Sequence, residues 1–370
     1  MKIYLISGED SGDLHGANLI LALQKRVPDL QVRGVGGDKM QAAGMSLVAH
    51  VRDINFMGFW EVIKHLGTIR RLFKKVEKDL QTFEPEVVVL IDYPGFNLRI
   101  APFIQQLGIK IIYYISPQLW AWKKGRVKKI RKYIDKMCVI LPFEQEFYAK
   151  EGVEVAFVGH PLLDEIAKNK PEHSKNSHSQ PFIALLPGSR SQEIQTILPV
   201  LLKVATKFPQ YSFVIAGAPS KTADFYQKIL EKEGNLANVS LKMNETYAIL
   251  ANAAAALVTS GTATLETALF RVPQVVCYKG SFISYHIGKY LIQVKFISLV
   301  NLILGYKAVT ELIQYDFTAD MLAQELEKLF LPDFRQQMMA DYDTLHLKLG
   351  NVGASERVAD IISLQLRKYE

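Results

Sequence analysis

Lys2-Ile3-Tyr4-Leu5-Ile6 running into Ser7-Gly8-Glu9-Asp10-Ser11-Gly12-Asp13 is the stretch on which the reading of the fold turns. A buried-type strand ends in a turn crowded with glycines and carboxylates, and a helical pattern begins at Leu14. In open α/β sheets, ligands bind at the carboxyl ends of the strands. The turn has neither the G-x-G-x-x-G spacing of a dinucleotide site nor the G-x-x-x-x-G-K-[ST] of a P-loop. Three carboxylates are ill suited to gripping a pyrophosphate, so the turn reads as a site for hydroxyls, as on a sugar. An ordinary strand-to-helix turn, capped by Asp and Ser, accounts for the same residues.

Outward from this turn, apolar runs alternate with helical patterns along the chain, as in a parallel sheet with crossover helices. Strands are expected at Ile3–Ile6, Gln31–Val35, Val87–Ile91, Lys110–Ile115, Met137–Leu141 and Val155–Val158. Helical patterns fall near 14–26, 59–80, 97–107, 121–132 and 144–150. Residues 168–181 then read as a polar linker, and the alternation restarts. Further strands are expected at Phe182–Leu186, Ser212–Ala216, Ala254–Val258 and Gln274–Cys277. Helices are expected near 190–207, 221–232, 245–252, 261–270 and 281–294. The expectation is an α/β chain of two Rossmann-like domains, 1–167 and 182–318, facing an inter-domain cleft, with a helical tail over 319–370. Clefts of that kind are preferred ligand sites.

The bulk composition agrees with a folded chain. Of 370 residues, 49% are hydrophobic and 22% charged, the balance of a globular protein. Cys138 and Cys277 lie in apolar runs and read as packed thiols of a reducing compartment, without a disulfide framework or a metal quartet. No cationic, apolar leader precedes the first strand, so no secretory signal is expected. The longest apolar candidate, Ile283 to Tyr306, is interrupted by His286, Lys289 and Lys295. A net charge of +7 favours anionic partners. No zinc-finger, RNP or basic-helix pattern supports nucleic acid.

Several strand ends carry chemistry. Leu186-Pro187-Gly188-Ser189-Arg190-Ser191-Gln192 opens a helix in which Ser189 and Gln192 fit a capping box. A helix N-terminus with an adjacent Arg190 suits a diphosphate; a plain helix start with a surface arginine is the bland alternative. Thr259-Ser260-Gly261-Thr262-Ala263-Thr264-Leu265-Glu266 repeats the logic, with Glu266 one turn in and able to accept from ribose hydroxyls; helix capping with a solvated Glu accounts for the same residues. Asp92 ends a very apolar strand, with Pro94 fixing its exit, and is a candidate general base or else a structural cap. Apolar positions 59, 62, 63, 66, 69, 73 and 76 share a helical face beside Lys64, Arg70, Arg71, Lys74, Lys75 and Lys78. That pattern fits a helix in a membrane interface, and equally a helix packed on its sheet. Trp120 and Trp122 beside Lys123 and Lys124 suit an interface with anionic lipid, and single-stranded nucleic acid could use such aromatics too.

In order along the chain stand Ser7-Gly8-Glu9-x-Ser11-Gly12-Asp13, Met57-Gly58-x-x-Glu61-Val62, Asp92-x-Pro94-x-Phe96-Asn97-Leu98 and Ser116-Pro117-x-x-Trp120-Ala121-Trp122. They are followed by Leu141-Pro142-Phe143-Glu144, Gly159-His160-Pro161, Leu186-Pro187-Gly188-Ser189-Arg190 and Ser260-Gly261-Thr262-Ala263-Thr264-Leu265-Glu266. This ordered series covers nearly the whole chain and resembles the lipid-A-disaccharide synthase family. One departure is Val300, where the family usually has Pro before the Asn at 301.

The resemblance implies an inverting glycosyltransferase of the GT-B fold without a metal or organic cofactor. It implies UDP-2,3-diacylglucosamine as donor and 2,3-diacylglucosamine 1-phosphate, lipid X, as acceptor. Asp92 would be the base, with Glu9 the nearby alternative. Ser189, Arg190, Ser260, Gly261, Thr262, Glu266 and Asn301 would hold UDP. Ser11, Gly12, Asp13, Glu61 and Asn97 would line the acceptor side. Phe59, Trp60, Ile63, Leu66, Trp120, Trp122, Lys123 and Lys124 would meet an anionic membrane surface. A cytoplasmic location, peripheral on the cytoplasmic face of the inner membrane of a Gram-negative bacterium, follows, as does a homodimer exchanging C-terminal segments. A UDP-sugar 2-epimerase of the same architecture, or a non-catalytic lipid-surface protein, are the competing readings. Neither epimerisation without lipid nor surface binding alone would yield a disaccharide.

Overall fold

A computed structural model describes residues 1–53, 66–120, 124–169, 181–280 and 295–367. The chain forms two units, one made of Met1–Asp164 and Asn351–Glu370, the other of Glu165–Gly350.

The first unit carries strands β1 (Lys2–Ile6), β2 (Gln31–Gly36), β3 (Ser46–His50), β4 (Val87–Ile91), β5 (Lys110–Tyr114), β6 (Lys136–Val139) and β7 (Val155–Phe157). They form a parallel sheet in the order β3-β2-β1-β4-β5-β6-β7. Every residue of β4 is fully buried. Helices cover both faces of such a sheet, which is why β4 reads as a continuous apolar run and not as an alternation. Helices α1 (Asp10–Gln24) and α2 (Asp38–Ala42) are followed by α3 (Leu66–Phe83), α4 (Pro94–Gln106), α5 (Val127–Tyr133) and α6 (Phe143–Lys150). On one face Leu72, Val76 and Leu80 of α3 pack with Tyr4, Val88, Tyr113 and Ile100. On the other, Leu19, Ile20 and Leu23 of α1 share a core with Val89, Ile112 and Val158.

Helix α7 (Leu162–Asn169) contains the boundary between the units. The second sheet holds β8 (Phe182–Leu186), β9 (Ser212–Gly217), β10 (Val239–Met243), β11 (Ala255–Thr259), β12 (Gln274–Tyr278) and β13 (Thr310–Ile313). It is parallel, in the order β10-β9-β8-β11-β12-β13. Its helices are α8 (Ser191–Lys207), α9 (Ala223–Lys232), α10 (Thr246–Asn252), α11 (Thr262–Leu269), α12 (Leu299–Leu304), α13 (Ala319–Lys328) and α14 (Pro332–Leu349). Helix α15 (Ala354–Arg367) returns to the first unit.

The structure divides the chain differently from the sequence expectation. The boundary falls at Asp164/Glu165, ahead of the polar stretch, of which residues 170–180 lie outside the described residues. The tail is not one segment, because α13 and α14 belong to the second unit and α15 to the first. Val358, Ala359 and Ile362 of α15 bury in the α1 core. Arg26 of α1 pairs with Glu356 and, at 2.8 Å, with Asp360. The expected helix over 281–294 also lies outside the described residues.

Three strands escaped the sequence reading: β3, β10 and β13. All three are edge strands. β10 is only partly buried on alternate residues, so it shows no continuous apolar run. α1 begins at Asp10, not Leu14, which moves Ser11, Gly12 and Asp13 from a loop into the first helical turn.

Candidate functional site

In each sheet the strand order reverses at one place, and ligands of open α/β sheets bind outside the carboxyl ends of the strands there. In the first unit that place lies between β1 and β4; in the second, between β8 and β11. Glu9 follows β1 and Asp92 follows β4, and these neighbours run in register with Ile6 opposite Leu90.

Asp92 and Tyr93 adopt consecutive positive φ angles of 45° and 43°. For residues with side chains this backbone is costly, and it persists only where its surroundings over-determine it. Here they do. The Asp92 N–H donates to Tyr114 O at 3.0 Å. Its carbonyl oxygen accepts from Asn97 Nδ2 at 2.7 Å and from the Tyr113 hydroxyl. Pro94 then starts α4, where its missing N–H costs nothing. The preceding turn is built to admit this one, since a Cβ at Gly8 would stand 2.3 Å from the Tyr93 ring.

Burial, and next the charge of Glu9, push the Asp92 carboxyl up to about 7. A carboxyl titrating there is matched to accept a proton at neutral pH.

The second unit holds a pocket of about 690 Å³ at its own reversal point, with Gly188, Ser189, Thr259, Ser260, Gly261 and Glu266 in its wall. Gly188 has φ +103°, a backbone that glycine adopts freely and residues with a Cβ rarely do. The N-termini of α8 and α11 both open here. Unpaired N–H groups and the helix dipole make such ends anion sites. The Thr259 hydroxyl is buried with no hydrogen-bond partner among the described residues, a polar group for which the pocket offers a ligand.

Glu266 lies one turn into α11, and its Oε1 accepts from the Tyr247 hydroxyl at 3.1 Å. Burial raises the Glu266 pKa, and the Tyr247 bond opposes the rise. Tyr247 and Asn244 also line the pocket. Neither was legible in the sequence, because they follow β10, an edge strand that was not recognised.

A family model described as lipid-A-disaccharide synthetase matches residues 3–363. The chain belongs to the lipid-A-disaccharide synthase family. Curated proteins named lipid-A-disaccharide synthase resemble it over nearly their whole length. One from Syntrophus aciditrophicus is 40% identical over 99% of this chain and 98% of its own. One from Geobacter sulfurreducens is 37% identical with the same coverage. Among solved structures, the calicheamicin glycosyltransferase CalG4 matches at a TM-score of 0.63 with 18% identity, over 99% of this chain and 98% of that one. A UDP-GlcNAc 2-epimerase from Neisseria meningitidis, bound to UDP-GlcNAc, matches at 0.64 with 14% identity, over 99% and 100%. At those identities the likeness shows the fold alone. The lipid-A-disaccharide synthase family and the GT-B fold together make this chain a glycosyltransferase.

Several residues that the synthase motifs single out turn out to hold the fold. The Asp13 carboxylate accepts from Gly37 N at 2.7 Å, Lys39 N at 3.0 Å and Met40 N at 3.0 Å. It caps α2 from another element. Asn97 is buried and spends its amide nitrogen on Asp92 O and Ile91 O. Gly12 packs on Ser7, and Ser11 is exposed.

Asn301 is fully buried in the same manner. Its Nδ2 donates to Val309 O at 2.9 Å and Glu311 Oε1 at 2.8 Å. Its Oδ1 accepts from Ala308 N at 2.8 Å and Val309 N at 3.0 Å. The side chain is placed as a loop clamp, and the expected contact with the nucleotide has no amide valence left to use. Val300, which departs from the synthase pattern, is the second residue of α12. Its N–H lies in the first turn, without an intrahelical partner, so the loss of Pro there removes no special backbone role.

The capping box read at Ser189 and Gln192 is displaced by one residue. Arg190 is the N-cap, and Glu193 accepts from its N–H at 3.4 Å and its Nη1 at 3.1 Å. Ser189 stays in the pocket wall; Arg190 is not part of that wall. Ser260 donates to Ile297 O at 3.0 Å, and Thr262 begins α11.

Trp120 is half-buried and meets the Phe143 ring edge-on at 5.0 Å, so its indole packs within the first unit. The described part of α3 likewise turns Leu72, Val76 and Leu80 inward and Arg70, Arg71, Lys74, Lys75 and Lys78 outward. Phe59, Trp60, Glu61, Ile63, Trp122 and Lys123 lie outside the described residues, as do the side chains of Leu66 and Lys124. Among the described residues no helix is long and apolar enough to cross a membrane. None of their His, Cys, Asp and Glu side chains gather in a group that could hold a metal ion.

Proposed function

We propose that this enzyme moves 2,3-diacylglucosamine from UDP-2,3-diacylglucosamine to the 6-hydroxyl of 2,3-diacylglucosamine 1-phosphate (lipid X). The products are the β-1,6-linked lipid A disaccharide 1-phosphate and UDP. The observation that carries this reading is the match to the lipid-A-disaccharide synthase family over nearly the whole chain; the Asp92 carboxyl, held by a left-handed backbone at the first switch point and raised to about 7, supplies its base.

In the reaction the acceptor O6 attacks the anomeric carbon as its proton passes to the Asp92 carboxylate. The C1–O6 bond forms, the bond from C1 to the diphosphate oxygen breaks, and UDP leaves with the electron pair. Attack opposite the leaving group inverts the anomeric centre. The helix ends at Ser189 and Gly261 meet the developing charge on the diphosphate, and Arg190 adds a mobile cation. Such stabilisation is worth about 3 kcal/mol per well-placed donor. Glu266 accepts from the ribose. No step needs a metal ion.

The acyl chains of both substrates support a peripheral membrane association; in this reading the enzyme works at the cytoplasmic face of the inner membrane, as a homodimer. Phe59, Trp60, Ile63 and Leu66 supply the apolar contact, with Lys123 and Lys124 for anionic headgroups. Replacement of Phe59 and Trp60 by Ser is expected to reduce sedimentation with anionic vesicles; unchanged binding removes that contact.

Purified protein mixed with the two lipids should yield the disaccharide 1-phosphate by mass spectrometry. Absence of that product, or 2-epimerisation of UDP-N-acetylglucosamine without lipid, would overturn the assignment.

A further inference from the structure

Tyr247 touches α11 at two points. Its hydroxyl reaches Glu266 Oε1 at 3.1 Å, and its ring packs against Phe270 at 5.2 Å. Glu266 and Phe270 are four residues apart, so they lie one above the other on the same helical face. A tyrosine from α10 therefore lies along that face and fixes the carboxylate at its head. Both Tyr247 and Glu266 line the pocket. Among the described residues no other donor is hydrogen-bonded to Glu266.

We infer that Tyr247 is a positioning residue that makes the donor pocket selective for a nucleoside diphosphate bearing a ribose cis-diol. This rests on the reading of the pocket as the UDP site. A carboxylate accepts through two oxygens with about four acceptor directions. Tyr247 occupies one on Oε1 and leaves Oε2 for ligand hydroxyls. Two vicinal hydroxyls make a bidentate donor that matches a carboxylate. A 2′-deoxyribose offers one fewer and leaves a buried acceptor underused. Such a mismatch at a site built for hydrogen bonding discriminates strongly.

The phenol acts in two ways. It removes the rotamer freedom of Glu266, so that less is lost on binding. It also supplies a hydrogen bond to the ionised form in a place where burial favours the neutral acid. A neutral Glu266 would turn one acceptor into a donor.

The test is calorimetric binding of UDP and 2′-deoxy-UDP to the wild type, Tyr247→Phe, Glu266→Ala and the double variant. Tyr247→Phe keeps the ring on Phe270 and deletes only the hydroxyl. The wild type is expected to prefer UDP by about tenfold or more. Tyr247→Phe should weaken UDP about five- to tenfold, with 2′-deoxy-UDP changed less than twofold, and should raise donor KM more than it lowers kcat. In the Glu266→Ala background, where the phenol has no acceptor left at position 266, the Tyr247 change should add nothing. Equal weakening of both nucleotides, or additive penalties in the double variant, overturns the positioning role. Wild-type protein that binds UDP without discrimination overturns it too, while leaving the donor-site reading intact. Wild-type protein that binds neither nucleotide overturns both readings.

Discussion

The Tyr113 hydroxyl on β5 donates to the main-chain oxygen of Asp92 at the end of β4, and so clamps the backbone of the residue we propose as the base. Tyr113 is itself fully buried. Together with Asn97 it holds a left-handed turn that aspartate would not adopt unaided. Tyr113→Phe removes that bond and no ring volume. We expect kcat to fall about tenfold or more, since small misplacements at a reacting group are costly. UDP affinity should be unchanged. Steady-state kinetics beside UDP calorimetry check this; an unaltered kcat rejects the clamp as a catalytic support.

Asp92→Asn should reduce turnover by about 10² or more while UDP binding persists. Retained turnover would remove Asp92 as the base.

The pH dependence follows from the raised carboxyl. The base must be ionised, so kcat/KM should climb with pH through about 7 and level off above it. Two interacting carboxyls titrate as a pair. Glu9→Gln removes the second cause of the rise and leaves burial, so the ascending limb should move to lower pH by about a unit or less. A shift in the opposite direction contradicts the electrostatic coupling. Stability has a definite sign as well. A raised carboxyl stabilises the fold most fully below the ordinary carboxylate range of about 4, and this is lost as pH rises through about 7. Relative to wild type, Asp92→Asn should therefore gain Tm between pH 5 and pH 8, read by thermal melts at each pH.

Arg190 lies exposed beside Glu193, and exposed pairs of this kind contribute little to stability. Arg190→Ala should leave Tm within about 1 °C and weaken UDP about tenfold, the worth of one charged hydrogen bond. Unchanged UDP affinity would remove Arg190 from donor binding.

Asp13→Ala strands the three N–H donors of the α2 turn. The expected loss is about 2 kcal/mol of unfolding free energy, measured by denaturant titration, with turnover per folded molecule largely kept. A normal stability with a large rise in acceptor KM would instead restore Asp13 to the acceptor side.

Much of the fold was legible because central parallel strands are buried on both faces. Val87–Ile91 and Phe182–Leu186 are continuous apolar runs, and their bounds in the structure match the reading residue for residue. The edge strands β3, β10 and β13 lack that signature, since partial burial tolerates Ser, Lys and Thr. With β10 went the turn that carries Asn244 and Tyr247. The split of the tail was hidden for a different reason: α13, α14 and α15 have similar helical patterns, and which core each joins depends on partners elsewhere in the chain, such as Val272 and Gln274 for Tyr342 of α14 and Arg26 for Glu356 of α15.

The sequence by itself determined the two parallel sheets, the strand ends that carry chemistry and the family, because apolar run length and the order of short motifs are local properties of the chain. Only the tertiary structure decided which polar side chains of those motifs are spent on holding the backbone and which are left for a ligand to meet. Asp92 stands in a left-handed backbone, partly desolvated at a switch point, whereas Asp13 and the Asn97 amide nitrogen are spent on backbone groups and Asn301 on backbone and Glu311. A carboxylate or an amide has the same chemistry written in either place. Burial and the donors that surround it determine whether it reacts or holds the fold.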